Sequence, residues 1–282
     1  MTVKYLIFGD GYLGNKFGDF LDDSLVSKTR IETLEDARKE IAKHDPEFVI
    51  NCMGKTGVPN VDWCEDNKTV TFMSNVIAPI YLALASKEIG KTMVHIGSGC
   101  EYEGEKGGEG FSETDEPNFS GSIYSISKII SEKILGDFDN VLQLRIRMPL
   151  DDEPNQRNLI TKLLGYKKVL VMPNSITYVQ DLLQISKKLM HGGHKGIFNV
   201  VNKGAITHDE ILKKYQEFSG KDLNFETISS DELDKMTKAK RSNCVLSTRK
   251  LESFMDIPSS EDAVERCLKE YVKNEKLGGS LS

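Results

Sequence analysis

Tyr124 and Lys128 stand four residues apart in GSIYSISKIISEK, so on a helix they meet on one face. An ammonium beside a phenol favours the phenolate, and the pair supplies a proton donor with its electrostatic tuner. The same spacing also arises on ordinary surface helices, so the pair gains meaning only from its surroundings. Upstream, MVHIGSGCEYEG reads as a buried strand ending in Ser98, followed by Cys100. Side chains at the C-terminal edge of a parallel sheet reach the ligand crevice, where the Ser98 hydroxyl could bond a substrate carbonyl alongside Tyr124. A third stretch, FGDGYLG, directly follows an apolar run and has the dinucleotide-turn spacing Gly9-x-Gly11-x-x-Gly14; its alternative is a plain tight turn.

These residues need a scaffold, and the pattern of the chain predicts one. Short β-branched runs at 3–8, 25–27, 48–52, 93–96 and 141–146 alternate with amphipathic stretches at 12–21, 34–43, about 69–89 and 122–137. That alternation predicts an α/β protein with a Rossmann-like doubly wound parallel sheet, and it puts the glycines where such a fold binds phosphates. After about Lys162 the pattern loosens, which predicts a dinucleotide-binding domain over 1–165 and a smaller α/β substrate domain over 166–282, interleaved with the first. In the second half Thr207 and Glu210 form a capping-box helix start, residues 260–276 read as an amphipathic helix, and the tail KLGGSLS is expected to fray.

Composition narrows the partners. The 282 residues carry 37 Lys and Arg against 43 Asp and Glu, a net charge of -6 without blocks of like charge, which argues against nucleic acid or a membrane surface. No apolar stretch approaches the ~18 residues of a membrane span and the start lacks a secretory pattern, so a cytoplasmic location is expected. Five scattered cysteines without a CxxC pair read as free thiols, and HGGH at 191–194 reads as a helix end rather than a metal site.

A Ser, Tyr and Lys set after a glycine-rich turn resembles the extended short-chain dehydrogenase/reductase superfamily. In register along the chain, TGVPNVDWCE, GCEYEG, TDEPNFSGSIYSISK, LRIRMP, RNLITK, MPNSIT, HDEIL and RSNCVLS resemble the nucleotide-rhamnose synthase/epimerase-reductase family, more distantly related to dTDP-4-dehydrorhamnose reductase. The resemblance implies inversion at C3 and C5 of a UDP- or dTDP-linked 4-keto-6-deoxyglucose, then NADPH reduction at C4 to the L-rhamnose nucleotide. A 4-ketone acidifies the hydrogens on C3 and C5, so the chemistry needs a base on one face of the ring and an acid on the other. Cys100 suits the base when cations or dipoles favour its thiolate, and an extended strand end would point it the same way as Ser98. The alternative for Cys100 is an inert buried thiol.

By its match to the family motif, Lys162 is the opposing acid; at the helix start expected there, it would otherwise be a solvated charge. Tyr124 then gives the reduction its proton, with Ser98 polarising the ketone and Lys128 bonding the nicotinamide ribose. Asn75 is where the superfamily supports that lysine through a water, the alternative being a polar side chain turned to solvent. The cofactor would contact Gly9, Gly11, Tyr12, Leu13, Gly14, Met53, Gly54 and Asn75. In a chain with Asp10 and a shortened first interval, Gly11 and Gly14 are expected to make the close approach. At the end of the second strand Ser27, Lys28 and Arg30 stand where NAD enzymes usually place a carboxylate, which favours NADP; Glu32 lies close by. Asn60, Asn174, Ser175 and Arg241 would hold the sugar nucleotide. The same set would serve a 4-reductase alone or a UDP-2-acetamido-2,6-dideoxy-4-hexulose, whereas a non-catalytic NADP-binding regulator would typically lack the tyrosine or lysine. A homodimer is left open.

Overall fold

The computed structural model describes residues 3–278. The chain runs β1 (Tyr5–Phe8), α1 (Tyr12–Phe20), β2 (Ser24–Ser27), α2 (Leu34–His44), β3 (Phe48–Asn51), α3 (Asp62–Asp66), α4 (Lys68–Phe72), a π-helical turn (Met73–Ile77), α5 (Ala78–Glu88) and β4 (Thr92–Ser98). It continues through α6 (Ile123–Gly136), β5 (Val141–Ile146), β6 (Pro149–Leu150), α7 (Leu159–Leu164), β7 (Lys168–Leu170), β8 (Thr177–Tyr178), α8 (Val179–His191) and β9 (Gly196–Asn199). The last elements are α9 (His208–Ser219), β10 (Glu226–Ile228), α10 (Ser230–Asp234), α11 (Arg249–Glu252) and α12 (Ser260–Gly278).

Six strands pair in the order β2-β1-β3-β4-β5-β9, all parallel, which is the expected Rossmann-like sheet. Alternate side chains serve opposite cores: Tyr5, Ile7, Phe48 and Ile50 pack with Phe17 and Leu182, while Leu6, Phe8 and Val49 pack with Ile41, Leu82 and Leu135. Burying each of these larger side chains is worth about 1.5–3 kcal/mol, so the strand ends are held firmly. A further core joins α7, α9 and α12 through Leu163, Ile211, Leu212 and Leu268. Its chain passes back to the first: β9 completes the main sheet beside β5.

Local signals explain most helix starts. Thr33 with Asp36 and Thr207 with Glu210 form full capping boxes, and Ser122 caps α6 by accepting from the Ser125 N–H at 3.0 Å. The apolar stretch expected at 69–89 is three pieces in one line. Contrary to the expectation that no such run exists, Lys68–Glu88 is long and apolar enough to cross a membrane by length and composition. The unbroken-run reading missed it because uncharged polar residues such as Asn75 and Ser86 interrupt the run without lowering its mean hydropathy much. Half of that stretch is buried inside the protein, with Leu82, Ala83 and Ala85 in the core. α12 reaches Gly278, so the start of the tail expected to fray is helical; residues 279–282 lie outside the described residues.

Candidate active site

The strand order reverses between β1 and β3, the switch point at which such sheets bind ligands. Gly9 has φ +100°, and a Cβ there would stand 2.7 Å from the Met53 nitrogen and 2.8 Å from the Cys52 carbonyl carbon. A Cβ at Gly14 would stand 1.8 Å from the Gly9 oxygen. Gly9 and Gly14 therefore let the strand ends and the helix start pack together without a Cβ between them. At Gly11 a Cβ would meet nothing within 4 Å. Gly11 is the N-cap of α1, with no side-chain cap and no acidic residue in the first turn, so the helix start offers its N–H groups to an anion. Asp10 is exposed, and its carbonyl accepts from Asn15 Nδ2 at 3.0 Å. Tyr12 and Leu13 pack half-buried against the core.

Met53 N–H donates to Asn51 Oδ1 at 3.0 Å, and Gly54 lies beside Asn75. Asn75 is fully buried in the π-helical turn rather than turned to solvent. Its Oδ1 accepts from Lys55 N–H at 2.6 Å, and its Nδ2 donates to the Lys55 carbonyl and to Ser127 Oγ, both at 3.0 Å. It thus braces the loop after β3 against α6. At the end of β2, Ser27 is buried and its hydroxyl donates to Glu40 Oε1 at 2.7 Å. Lys28 and Arg30 are exposed, with Arg30 paired to Glu32 at 2.9 Å.

The Ser122 cap places Tyr124 in the first turn of α6, with Lys128 one turn on; both side chains are buried. Burial raises the Tyr124 phenol above its usual range and the Cys100 thiol adds to this, while the Ser98 hydroxyl opposes it. The direction is opposite to the expected shift toward phenolate. Lys128 Nζ donates to the Ile96 carbonyl at 3.1 Å, and its own proton affinity is lowered by burial. Ser98 is the last residue of β4 and its hydroxyl accepts from the Cys100 N–H at 3.2 Å. The chain turns there, so Cys100 does not follow Ser98 on an extended strand. The turn leans on Leu246, whose Cδ1 would lie 2.6 Å from a Cβ at Gly99.

Cys100, Tyr124, Lys162, Asn60 and Arg241 line one cavity of about 380 Å³. Lys162 sits in the last turn of α7, not at a helix start, and is half-buried; burial first and then the Arg157 charge lower its proton affinity. Arg241 is paired with Asp62 at 2.9 Å. Five cations, Arg147, Lys162, Lys168, Lys240 and Arg241, line the cavity, and no described carboxylate does. Leu163, Tyr166, Leu170, Ile228 and Leu233 supply an apolar wall.

Asn174 and Ser175 are fully buried behind Arg147 and the segment 243–246 instead of lining the cavity: Asn174 Oδ1 accepts from Arg147 and from Cys244 N–H, and Ser175 Oγ accepts from Leu246 N–H. A larger groove of about 590 Å³ lies at the opposite end of the strands, by Lys4, Glu47 and His191. It holds none of the expected residues and is on the edge that parallel sheets do not use for ligands.

Among the cavity residues not singled out from the sequence are Arg147 and His208. Arg147 leaves β5 at the same sheet edge where Ser98 leaves β4, so the strand-end rule could have found it. His208 opens α9; its ring contacts Met148 Sδ at 3.3 Å, and burial, then Arg147, push its pKa down to about 4. Only the packing of α9 under the cavity reveals it.

Residues 22–273 match the RmlD substrate binding domain family. The chain is 38% identical over 275 residues to a trifunctional UDP-glucose 4,6-dehydratase/UDP-4-keto-6-deoxy-D-glucose 3,5-epimerase/UDP-4-keto-L-rhamnose-reductase of Arabidopsis thaliana, covering 93% of this chain but 41% of that protein. It thus spans about two fifths of the length of that relative. A bifunctional dTDP-4-dehydrorhamnose 3,5-epimerase/dTDP-4-dehydrorhamnose reductase of the same plant is 35% identical, covering 93% of this chain and 91% of that one.

Among solved structures, the UDP-rhamnose synthase of Acanthamoeba polyphaga mimivirus superposes with a TM-score of 0.90 at 31% identity, over 95% of this chain and 99% of that one. A dTDP-4-dehydrorhamnose reductase of Bacillus anthracis in complex with NADP shares the fold with a TM-score of 0.81 at 23% identity, over 96% and 99%. With its Rossmann-like sheet and a family match that spans both cores, the chain belongs to the RmlD substrate binding domain family.

Proposed function

We propose that this chain is an NADPH-dependent 3,5-epimerase/4-reductase acting on a UDP- or dTDP-linked 4-keto-6-deoxyhexose. The carrying observation is one cavity with a thiol, a phenol and five cations and no described carboxylate, a lining suited to an anionic diphosphate joined to a ketone-bearing sugar.

In the epimerisation, Cys100 as thiolate takes the proton from a carbon beside the ketone, and the bonding pair moves into an enolate. Lys162 returns a proton to the opposite face and is left as an amine. Burial suits it to this exchange, because an ammonium that loses its proton readily is the better acid. For the reduction, Tyr124 delivers its proton to the C4 oxygen. Burial keeps the phenol protonated until a developing alkoxide can receive the proton, and Ser98 is poised to polarise the ketone.

The glycine turn fits a dinucleotide, since Gly11, where a Cβ would meet nothing within 4 Å, leaves the uncapped start of α1 open to a pyrophosphate. Gly9, Gly11 and Gly14 would hold the pyrophosphate and Lys28 and Arg30 the ribose phosphate of NADPH, with Lys128 on the nicotinamide ribose. When bound, the cofactor supplies the hydride to C4. Arg241, with Asn60 near it, would hold the sugar diphosphate.

Incubation with UDP- and dTDP-linked 4-keto-6-deoxyglucose in D2O without NADPH, followed by NMR, tests the reading. Deuterium is expected at C3 and C5, and after addition of NADPH the L-rhamnose nucleotide. Consumption of NADPH on pre-epimerised substrate without any exchange would leave a reductase alone, and neither reaction would refute the assignment.

A further inference from the structure

Arg147 emerges immediately after β5 and is 3% exposed. Its Nη1 donates to Cys100 Sγ at 2.7 Å, and its Nη2 donates to Asn174 Oδ1 at 2.7 Å and to the Ser242 carbonyl. Its backbone N–H is fixed by Thr177 Oγ1 at 3.0 Å, itself held by the Val200 carbonyl at 2.8 Å. Nε is buried without a partner, and among the described residues no carboxylate stands within ion-pair distance of this guanidinium, the Glu103 charge acting on it from farther off. A buried arginine cannot shed its proton, and leaving its charge without an anion costs several kcal/mol. The acceptors around it are neutral, save one that can ionise: the sulfur of Cys100.

We infer that Arg147 is the positioning residue of Cys100, its guanidinium serving as fixed counter-ion to the thiolate that acts as base. This rests on the proposed role of Cys100 above. Other groups that face the thiol are Tyr124 and Lys128 on α6 and Cys244 on the segment 242–246. Of the two cations, Lys128 is turned to the Ile96 carbonyl, so Arg147 alone donates to the sulfur. Asn174 acquires a task as well: its carbonyl oxygen orients the guanidinium, which accounts for an asparagine behind the cavity wall rather than in it. During the proton transfer the sulfur becomes S–H and Arg147 keeps its own protons. The pair is reset when the thiol returns its proton to solvent.

The test is the alkylation rate of Cys100 by iodoacetamide in the full chain, read by peptide mass spectrometry with the other four cysteines as internal references. Arg147→Gln is expected to slow Cys100 alkylation at neutral pH by about tenfold or more, and the substrate-free measurement owes nothing to NADPH or sugar. Deuterium exchange into substrate should fall with it. Both losses should recover as the pH is raised, and Arg147→Lys should restore part of each. A purely structural arginine would give losses that pH does not repair.

Unchanged alkylation in Arg147→Gln, or a loss that alkaline pH leaves in place, would overturn the inference. Should that variant fail to fold, the ultraviolet thiolate absorbance of the wild-type chain minus that of Cys100→Ser decides. A thiolate at neutral pH supports the pairing, and none refutes it. Exchange that survives Cys100→Ala would instead sink the base assignment while leaving the alkylation result standing.

Discussion

Between Gly9 and Gly14 the protein offers backbone: two adjacent strand ends and a helix start approach so closely that a Cβ would lie 1.8 Å from a carbonyl oxygen. Around Cys100 it offers side chains, delivered by the ends of β4 and β5, the first turn of α6, the last turn of α7 and the segment 240–243. In the proposed function the turn would recognise a shape and charge common to dinucleotides, for which a few glycines within six residues suffice. The cavity would have to place an acid, a base and a proton donor around one ring, and no continuous stretch can surround a ring.

That contrast can be broken most severely at the cavity. Cys100→Ala and Lys162→Ala should each abolish deuterium exchange, and Tyr124→Phe should cost reduction about 10²–10⁴-fold while exchange largely persists; equal loss of both reactions in Tyr124→Phe would undo the division of labour. At the turn, the effects should be on folding before chemistry. Gly14→Ala is expected to destabilise by about 3 kcal/mol, measured by urea unfolding, since backbone rather than a mobile side chain is in the way. Gly11→Ala should cost less than about 1 kcal/mol and instead weaken NADPH binding, seen by titration calorimetry.

A third outcome concerns pH. His208 has its folded pKa pushed down to about 4, below the ordinary value near 6.5, so the unfolded chain binds the extra proton first as pH falls. Its contribution is complete above pH ~6.5 and is lost toward pH ~4, on the order of 3 kcal/mol. Thermal melts of His208→Gln should show a shallower acid loss across that window than the wild type, and parallel curves would contradict it. Last, Arg241→Ala should raise KM for the sugar nucleotide about tenfold, or about 1.4 kcal/mol, and spare KM for NADPH, with Lys28→Ala doing the reverse more weakly. A shared effect would mean the two sites are not separable.

The residues differ in how far the sequence exposed them. Tyr124, Lys128 and the glycines were legible because their spacing is local. β5 was placed to the residue, and β4 was recognised although it runs to Ser98. Ser27 and Asn75 were located in the chain, but their partners were not: Glu40 claims the first and Lys55 the second, across separations that no pattern reports. Asn174 and Ser175 were expected to line the sugar site but stand one layer behind the cavity lining, because a motif does not say which side of a wall a residue faces.

By itself, then, the sequence determined the parallel α/β sheet and the glycine turn after its first strand, since periodicity and glycine content act over a few residues, whereas the grouping of Ser98, Cys100, Tyr124 and Lys162 came from the family resemblance. The tertiary structure alone decided that burial holds the Tyr124 phenol protonated, that Gly9 and Gly14 leave no room for a Cβ, and that Arg147 donates to Cys100. Desolvation and charge pairing depend on what the rest of the chain brings within a few ångströms, and only the folded protein fixes those distances.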